Sequence, residues 1–432
     1  FYIIYLNIIN LYLLMLSGWE KNRMECFSEV TKIKIKILEE GVKFEPLSLF
    51  SDIIKEINFK NKTIYKKPIS DGKEVYDYSS RNEIIPSEIL LSDNKNESIV
   101  KCRYNPKSSI ELRWKNGKLE IYQNNNKSKL NVNFIKEYDI LQQKIDDEFL
   151  VGDYVDVVGM DRISLLLFEG CYNWICGKQC KFCDLHPKKV SDKVCKPTLN
   201  NLYKYNNVDE WWNSQKDLFF KNTNLALDKL LKNTKLKHKH LFIMAGNLTD
   251  CKIVWKFLIE FVENLTRQFD LQDFDTITNV CPHDSIASLK KLKKLGIKQV
   301  QYNLEIANKD LFTSTCPGKI NYEEFVSKLY EAVNIFGKGN VRSNFVLGLQ
   351  DYNELINECE KFAKKGIVTD YSVFQPKKNI PYSNLEAPEM KDVINFTKRL
   401  VKIYVKYNQH PIFCSLSSRS SIVNEVYYDN VK

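Results

Sequence analysis

From about residue 160 onward, short apolar runs alternate with longer segments in which apolar residues recur every three or four positions. The runs at 163–168, 240–245, 275–280, 298–304, 341–347 and 368–374 are β-branched and aromatic, which suits the half-buried surface of a pleated sheet, so they read as strands. Between them, 249–269, 284–295, 322–336 and 353–365 carry the period of amphipathic helices. Two of these end in Leu295-Gly296-Ile297 and Lys365-Gly366-Ile367, where glycine can take the left-handed cap before the next strand. Six such units predict a parallel sheet curled into a full or partial barrel, with ligands at the C-terminal ends of the strands.

The N-terminal part follows another pattern, with short alternating runs broken by polar turns. Residues 109–114 and 119–122 flank Lys115-Asn116-Gly117-Lys118, and Asn-Gly supplies the positive φ angles of a tight primed turn, so a β-hairpin is expected. The reading is a small β-rich domain over 24–157, a barrel over 158–380 and a C-terminal helix and tail over 381–432. The last helix is expected over 388–407, with Pro388 in its first turn. Residues 1–16 are nearly apolar but too short to span a bilayer comfortably. They lack a charged leading region and carry Asn7 and Asn10, so 1–23 is expected to be an upstream leader, with Met15 or Met24 as the start. No other segment is expected to cross a membrane.

The 432 residues allow one large catalytic domain plus a smaller companion, and 44% hydrophobic with 27% charged residues excludes wholesale disorder. The net charge of +10 is carried by lysines scattered among Asn and Ile, all residues with AT-rich codons, so genome composition accounts for it as well as an RNA partner does. Of the twelve cysteines, four fall between Cys171 and Cys183. That clustering points to a reducing, cytoplasmic setting with a metal or cluster site rather than to a disulfide framework.

Cys176, Cys180 and Cys183 form C-x3-C-x2-C directly after the first barrel strand. Three thiolates on one loop can hold three irons of a [4Fe–4S] cube and leave the fourth open to a non-protein ligand. Two other arrangements stay open. Cys171 could close a four-cysteine cluster, or the loop could be a zinc knuckle, although zinc sites usually pair two C-x2-C units and only one is present. His186 is either a further ligand or a polar residue closing the loop.

With Phe182 just before the last cysteine, this motif resembles that of the radical S-adenosylmethionine superfamily, an α/β fold whose motif lies on the loop after the first strand of a partial (βα)6 TIM-like barrel. The resemblance covers roughly 160–378. It implies a [4Fe–4S] cluster on Cys176, Cys180 and Cys183, with S-adenosyl-L-methionine chelating the open iron. It further implies an external electron donor such as flavodoxin or ferredoxin, and a 5′-deoxyadenosyl radical that abstracts hydrogen from a small-molecule or peptide substrate. By the same resemblance Gly246 and Asn247 approach the methionine moiety, with Asn standing where relatives often carry Glu. Asn303 and Glu305 contact its amino group or the ribose, Arg342 and Ser343 lie on the fifth strand with Arg342 facing the carboxylate, and Gly348 turns beside the adenine. The stretch 302–319 is weakly similar to the biotin synthase-like subgroup. Cys316, at the expected barrel mouth, is the candidate hydrogen-atom donor, against its reading as a small buried hydrophobe; Cys281 is a rival. No second cysteine block follows Cys316 and no Asp-x-His-x-x-Gly precedes the barrel, which argues against an auxiliary-cluster domain and a cobalamin module. Two further readings are a radical enzyme that modifies RNA and a non-catalytic iron–sulfur or zinc protein.

Overall fold

The computed structural model describes residues 27–45, 62–66, 75–76, 83–86, 88–135, 138–159, 162–185, 196–236, 238–376, 380–411 and 418–431. The expected leader over 1–23, both proposed start positions and His186 lie outside them.

The N-terminal part opens with an amphipathic helix that the sequence reading did not anticipate, α1 (Glu29–Glu40), capped by the Ser28 hydroxyl, which accepts the Thr31 N–H at 3.1 Å. The expected hairpin is present as strands Ile110–Lys115 and Lys118–Gln123, joined by Asn116 at φ +50° and Gly117 at φ +74°. The buried face of α1, including Val30, Ile33 and Ile37, joins one continuous hydrophobic core with the barrel.

The barrel sheet begins with a short strand that was also not anticipated, β1 (Asp156–Val158), antiparallel to β2 (Arg162–Leu166). Then β3 (His240–Met244), β4 (Asp275–Asn279), β5 (Gln299–Gln301), β6 (Val341–Leu347) and β7 (Ile367–Val373) add in chain order, every pair from β2 onward parallel. Among the described residues β1 and β7 do not pair with each other, so the sheet is an open, partial barrel. The run at 298–304 is longer than β5 because Glu305 sits at φ +72° and meets Phe345 through a single isolated bridge, which ends the ladder early.

The helices on the outside are α2 (Lys216–Asn233), α3 (Cys251–Thr266), α4 (Ile286–Lys294), α5 (Lys309–Thr315), α6 (Tyr322–Phe336), α7 (Tyr352–Lys365), α8 (Met390–Lys406) and α9 (Val423–Val431). Each of α3 to α7 starts on an Asp, Ser or Asn that caps a backbone N–H, as Asp351 does for Asn353 and Glu354. Gly296 at φ +97° and Gly366 at φ +92° end α4 and α7 as the sequence predicted. Pro388 corrects an expectation: it lies before the N-cap Glu389 of α8 and packs against Gly348 rather than occupying the first turn. Among the described residues no helix is long and apolar enough to cross a membrane.

A buried lysine ties the two chain ends together. The Lys34 ammonium, on α1, donates to Ser98 Oγ at 3.0 Å, Ser418 O at 2.7 Å and Glu425 Oε1 at 2.6 Å on α9, and its side chain is 1% exposed. Burial lowers its pKa, and the Glu425 carboxylate opposes that shift. Removing one partner of such a pair leaves an uncompensated buried charge. Lys34→Ala is therefore expected to destabilise the fold by about 3–5 kcal/mol, read from chemical denaturation midpoints. Lys34→Met combined with Glu425→Leu should recover most of that loss.

Candidate functional site

Three segments hold the cysteine loop: the loop after β3, the end of α5 with the turn that follows it, and the chain beyond β7. Cys171 N-caps a single helical turn, Tyr172–Ile175, that follows β2, and Cys176 closes it. From the loop after β3, Asn247 O accepts the Tyr172 N–H at 2.8 Å, while the Asn247 N–H donates to Cys171 Sγ at 3.4 Å. From the last residue of α5, Thr315 O accepts the Lys181 N–H at 2.9 Å, and from the turn after it Gly318 O accepts from Asn173 Nδ2 at 3.2 Å. From beyond β7, the Tyr382 N–H donates to Lys181 O at 3.0 Å. Contact is so close at two points that only glycine fits. A Cβ at position 246 would stand 2.2 Å from Gly170 O, and one at 318 would stand 2.4 Å from Asn173 Cγ.

This loop forms one wall of a cleft of about 830 Å³ at the C-terminal ends of the strands. Cys171, Cys180 and Cys183 line it, together with Phe182, Gly246, Asn247, Asn303 and Glu305. Cys176 is exposed and turns its thiol to Asn173 O at 3.7 Å. Among the described residues no three cysteine, histidine or carboxylate side chains stand together as a ready metal-ligand set. Burial pushes the Cys183 thiol up to about 12, against the Leu185 N–H at 3.4 Å, which favours the thiolate. The thiol of Cys180 is also raised, first by the neighbouring Cys316 thiol and then by burial, with Lys319 acting in the opposite direction. Phe182 packs on Val346, Phe374 and Ile380, which fixes the motif's aromatic residue against β6 and β7.

The cleft also holds a half-buried ion pair. Lys319 Nζ lies 3.6 Å from Glu305 Oε1 and donates to Asn303 O. Burial raises the pKa of Glu305, and Lys319 holds that rise in check. Burial acts to lower the pKa of Lys319, yet Glu305 and the neighbouring thiols outweigh it and the ammonium ends above its ordinary value. The sequence reading found Glu305 but missed Lys319, whose part depends on the Pro317-Gly318 turn folding the chain back over the strand end. It also missed His283, which lines the cleft with Nε2 3.0 Å from Glu331 Oε2.

Four expected site residues are placed elsewhere. Arg342, Ser343, Gly348 and Cys316 do not line the cleft. Arg342 and Ser343 line a separate inner chamber of about 260 Å³, and Ser343 Oγ accepts the Leu304 N–H at 3.0 Å. Gly348, at φ +108°, is committed to contact with Pro388, whose Cδ lies 2.9 Å from where a Cβ would be. Cys316 caps the C-terminus of α5 at 1% exposure, enclosed beside Cys180 rather than standing at the mouth. Its rival Cys281 does line the cleft.

No family model matches the chain. Over 141 residues, 32% of this chain, it is 26% identical to bacteriochlorophyllide c C-7(1)-hydroxylase of Chlorobaculum limnaeum. The matched stretch spans about a third (35%) of that relative's length. Among solved structures it is similar to methylornithine synthase (PylB), with 14% identity, a TM-score of 0.39, and 64% of this chain and 70% of that one covered. It is also similar to the [FeFe]-hydrogenase maturase HydG of Carboxydothermus hydrogenoformans, with 15% identity, a TM-score of 0.36, and 56% and 51% covered.

The close contact at Gly246 is directly testable. Gly246→Ala puts a methyl group against a backbone carbonyl that cannot move without the cysteine loop. We expect a loss of about 1–3 kcal/mol by thermal unfolding, with faster labelling of Cys171 and Cys180 by a thiol reagent in the folded state. Wild-type labelling rates would show that the loop does not depend on this contact.

Proposed function

We propose that this chain is a radical S-adenosylmethionine enzyme acting on a small molecule or peptide, with Cys176, Cys180 and Cys183 holding a [4Fe–4S] cluster. The observation that carries this reading is the C-x3-C-x2-C loop fixed at the end of a parallel strand, over a cleft with a half-buried Glu305–Lys319 pair. The donor set fits the group: three thiols within eight positions, with no carboxylate among them, form a soft set suited to iron–sulfur ligation. When bound, the cluster supplies the electron for cleavage of the sulfonium, delivered by an external donor of the flavodoxin or ferredoxin class in the cytoplasm.

The chain's own residues bind and orient. Glu305 presents a carboxylate to the methionine ammonium, and Lys319 positions that carboxylate by contacting both it and the Asn303 carbonyl. Gly246 and Asn247 bring backbone close to the same ligand, and Phe182 gives the cleft an aromatic wall. Arg342, Ser343 and Gly348 lie outside the lining of the cleft and take no part in this reading. Cys316 leaves the hydrogen-donor role, because its thiol is enclosed.

Anaerobic reconstitution tests this. About four irons per chain and 5′-deoxyadenosine formed with dithionite are expected. Single changes of Cys176, Cys180 or Cys183 to Ala should remove most of the iron, while Cys171→Ala keeps it. Glu305→Gln should retain the iron and weaken S-adenosylmethionine binding at least about tenfold, about 1.4 kcal/mol. One equivalent of zinc and no iron would overturn the reading, and iron loss in Cys171→Ala would replace the open cluster with a closed one.

A further inference from the structure

Asn279, at the end of β4, and Asn303, just past β5, line both the cysteine cleft and the inner chamber. The chamber lies deeper in the barrel, since Arg162 and Arg342 occupy the first and second positions of β2 and β6, and residues 418–421 of the tail close it. Its walls are almost wholly polar. Arg342 and Asn344 are alternate residues of β6, opposite Val368 and Asp370 of β7, so Arg342, Asn344 and Asp370 project to one face.

Three guanidinium groups border this chamber, and two are accounted for. Arg419 pairs with Glu88, and the Arg162 guanidinium stacks 4.5 Å over the Phe242 ring. Arg342 differs. It is 4% exposed, its Nη2 has no hydrogen-bond partner among the described residues, and it makes no ion pair there. Buried guanidinium N–H groups are paired as a rule, because leaving one unmet forfeits its hydration for nothing. Asp370 faces the same space without pairing, one of its oxygens already accepting the Tyr371 N–H at 2.7 Å.

We propose that the chamber binds the carboxylate end of the substrate, a small monoanionic carboxylic acid, with Arg342 as the specificity-determining residue. A planar guanidinium edge matches a carboxylate in a way that a water molecule cannot. Asp370 sets the charge limit: with it present, Arg342 and Arg162 together balance one added negative charge, whereas a phosphate dianion leaves an excess and is repelled. At about 260 Å³ the chamber takes a carboxylate and a short carbon chain, roughly eight water-sized groups. The rest of the molecule passes between Asn279 and Asn303, which puts its more distant carbons in the cleft where hydrogen abstraction is proposed. Only the word substrate rests on the radical reading; carboxylate binding does not.

The test uses the full chain, reconstituted anaerobically, and titrates sodium butyrate by saturation-transfer NMR, with butyramide and inorganic phosphate as comparisons. Butyrate should bind, and butyramide and phosphate should bind at least tenfold more weakly. Arg342→Gln should weaken butyrate at least tenfold, and Arg342→Lys by less. If Arg342→Gln fails to fold, Asp370→Asn decides, because removing the repelling carboxylate should tighten butyrate severalfold and admit phosphate, a gain that misfolding cannot mimic. Unchanged butyrate binding in folded Arg342→Gln, no tightening in Asp370→Asn, or wild-type phosphate binding as tight as butyrate overturns the proposal. Iron content and S-adenosylmethionine binding are followed in the same samples. Their loss with butyrate binding intact sinks the radical reading alone, and the converse sinks the chamber alone.

Discussion

The arrangement of this site depends on the distance between Gly170 O and position 246. At 2.2 Å from any would-be Cβ, the strand-end loop after β3 lies directly against the backbone that leads into the cysteine loop. Because the two backbones touch, Asn247 can bond the loop from both its N–H and its C=O, to Cys171 Sγ and to Tyr172. A side chain at 246 would part these groups and lose both bonds at once. Gly318 repeats the arrangement on the opposite side, where Asn173 reaches across to its carbonyl. The loop bearing the motif is thus held from two flanks by contacts that do not run through the thiols of Cys176, Cys180 and Cys183.

The four clustered cysteines differ in their surroundings. Cys171 accepts an N–H from Asn247 on a neighbouring loop and Cys183 accepts one from Leu185 just after it, while Cys180 faces the cleft beside them and Cys176 is exposed. Opposite them, Glu305 adopts a positive φ that glycine accepts far more readily than glutamate. The strained backbone persists because its neighbours over-determine it: the Glu305 N–H donates to Asn344 O at 2.9 Å and its carbonyl accepts from Val346 at 2.9 Å. Both bonds run to β6, so the strand that lines the inner chamber also fixes the carboxylate in the outer cleft.

The barrel was legible because its strands and helices alternate with clean periods, and the cap residues Gly296 and Gly366 mark their junctions. What escaped were features whose signal is tertiary. α1 has only a short apolar stripe, and its place depends on Lys34 meeting Ser98 and Glu425 at the far end of the chain. β1 is three residues long, too short for any period to register. Of the residues that line the cleft, Cys180, Phe182, Cys183, Gly246, Asn247, Asn303 and Glu305 were named from the motif and the resemblance it carries. Arg342 could be read only as inward-facing. Alternation along β6 gives the face of the sheet but not the depth, and a residue at the second position of a strand lies well below the C-terminal mouth. Lys319 and Asp370 carry no local signal, since each is defined by a partner on another strand or loop.

Depth also explains why the barrel interior tolerates charge that an ordinary core excludes. Burial moves the Asp370 carboxyl from an ordinary 3.8 to about 6, with Arg342 acting against the rise. A raised carboxyl pKa means the folded state holds its proton longer than the unfolded chain does. Stability on this account is therefore greatest below pH 4 and falls as pH rises from about 4 to 6, for a total of about 3 kcal/mol. Tyr371 and Thr369, the neighbours of Asp370 on β7, project to the opposite face and are buried there, whereas Asp370 itself is half-buried at the chamber. An apolar residue here would remove the cost and fill the chamber. A destabilising carboxylate beside an arginine with no ion-pair partner among the described residues, in a chamber that shares Asn279 and Asn303 with the cleft, is the pattern expected where charge placement serves a ligand rather than the fold.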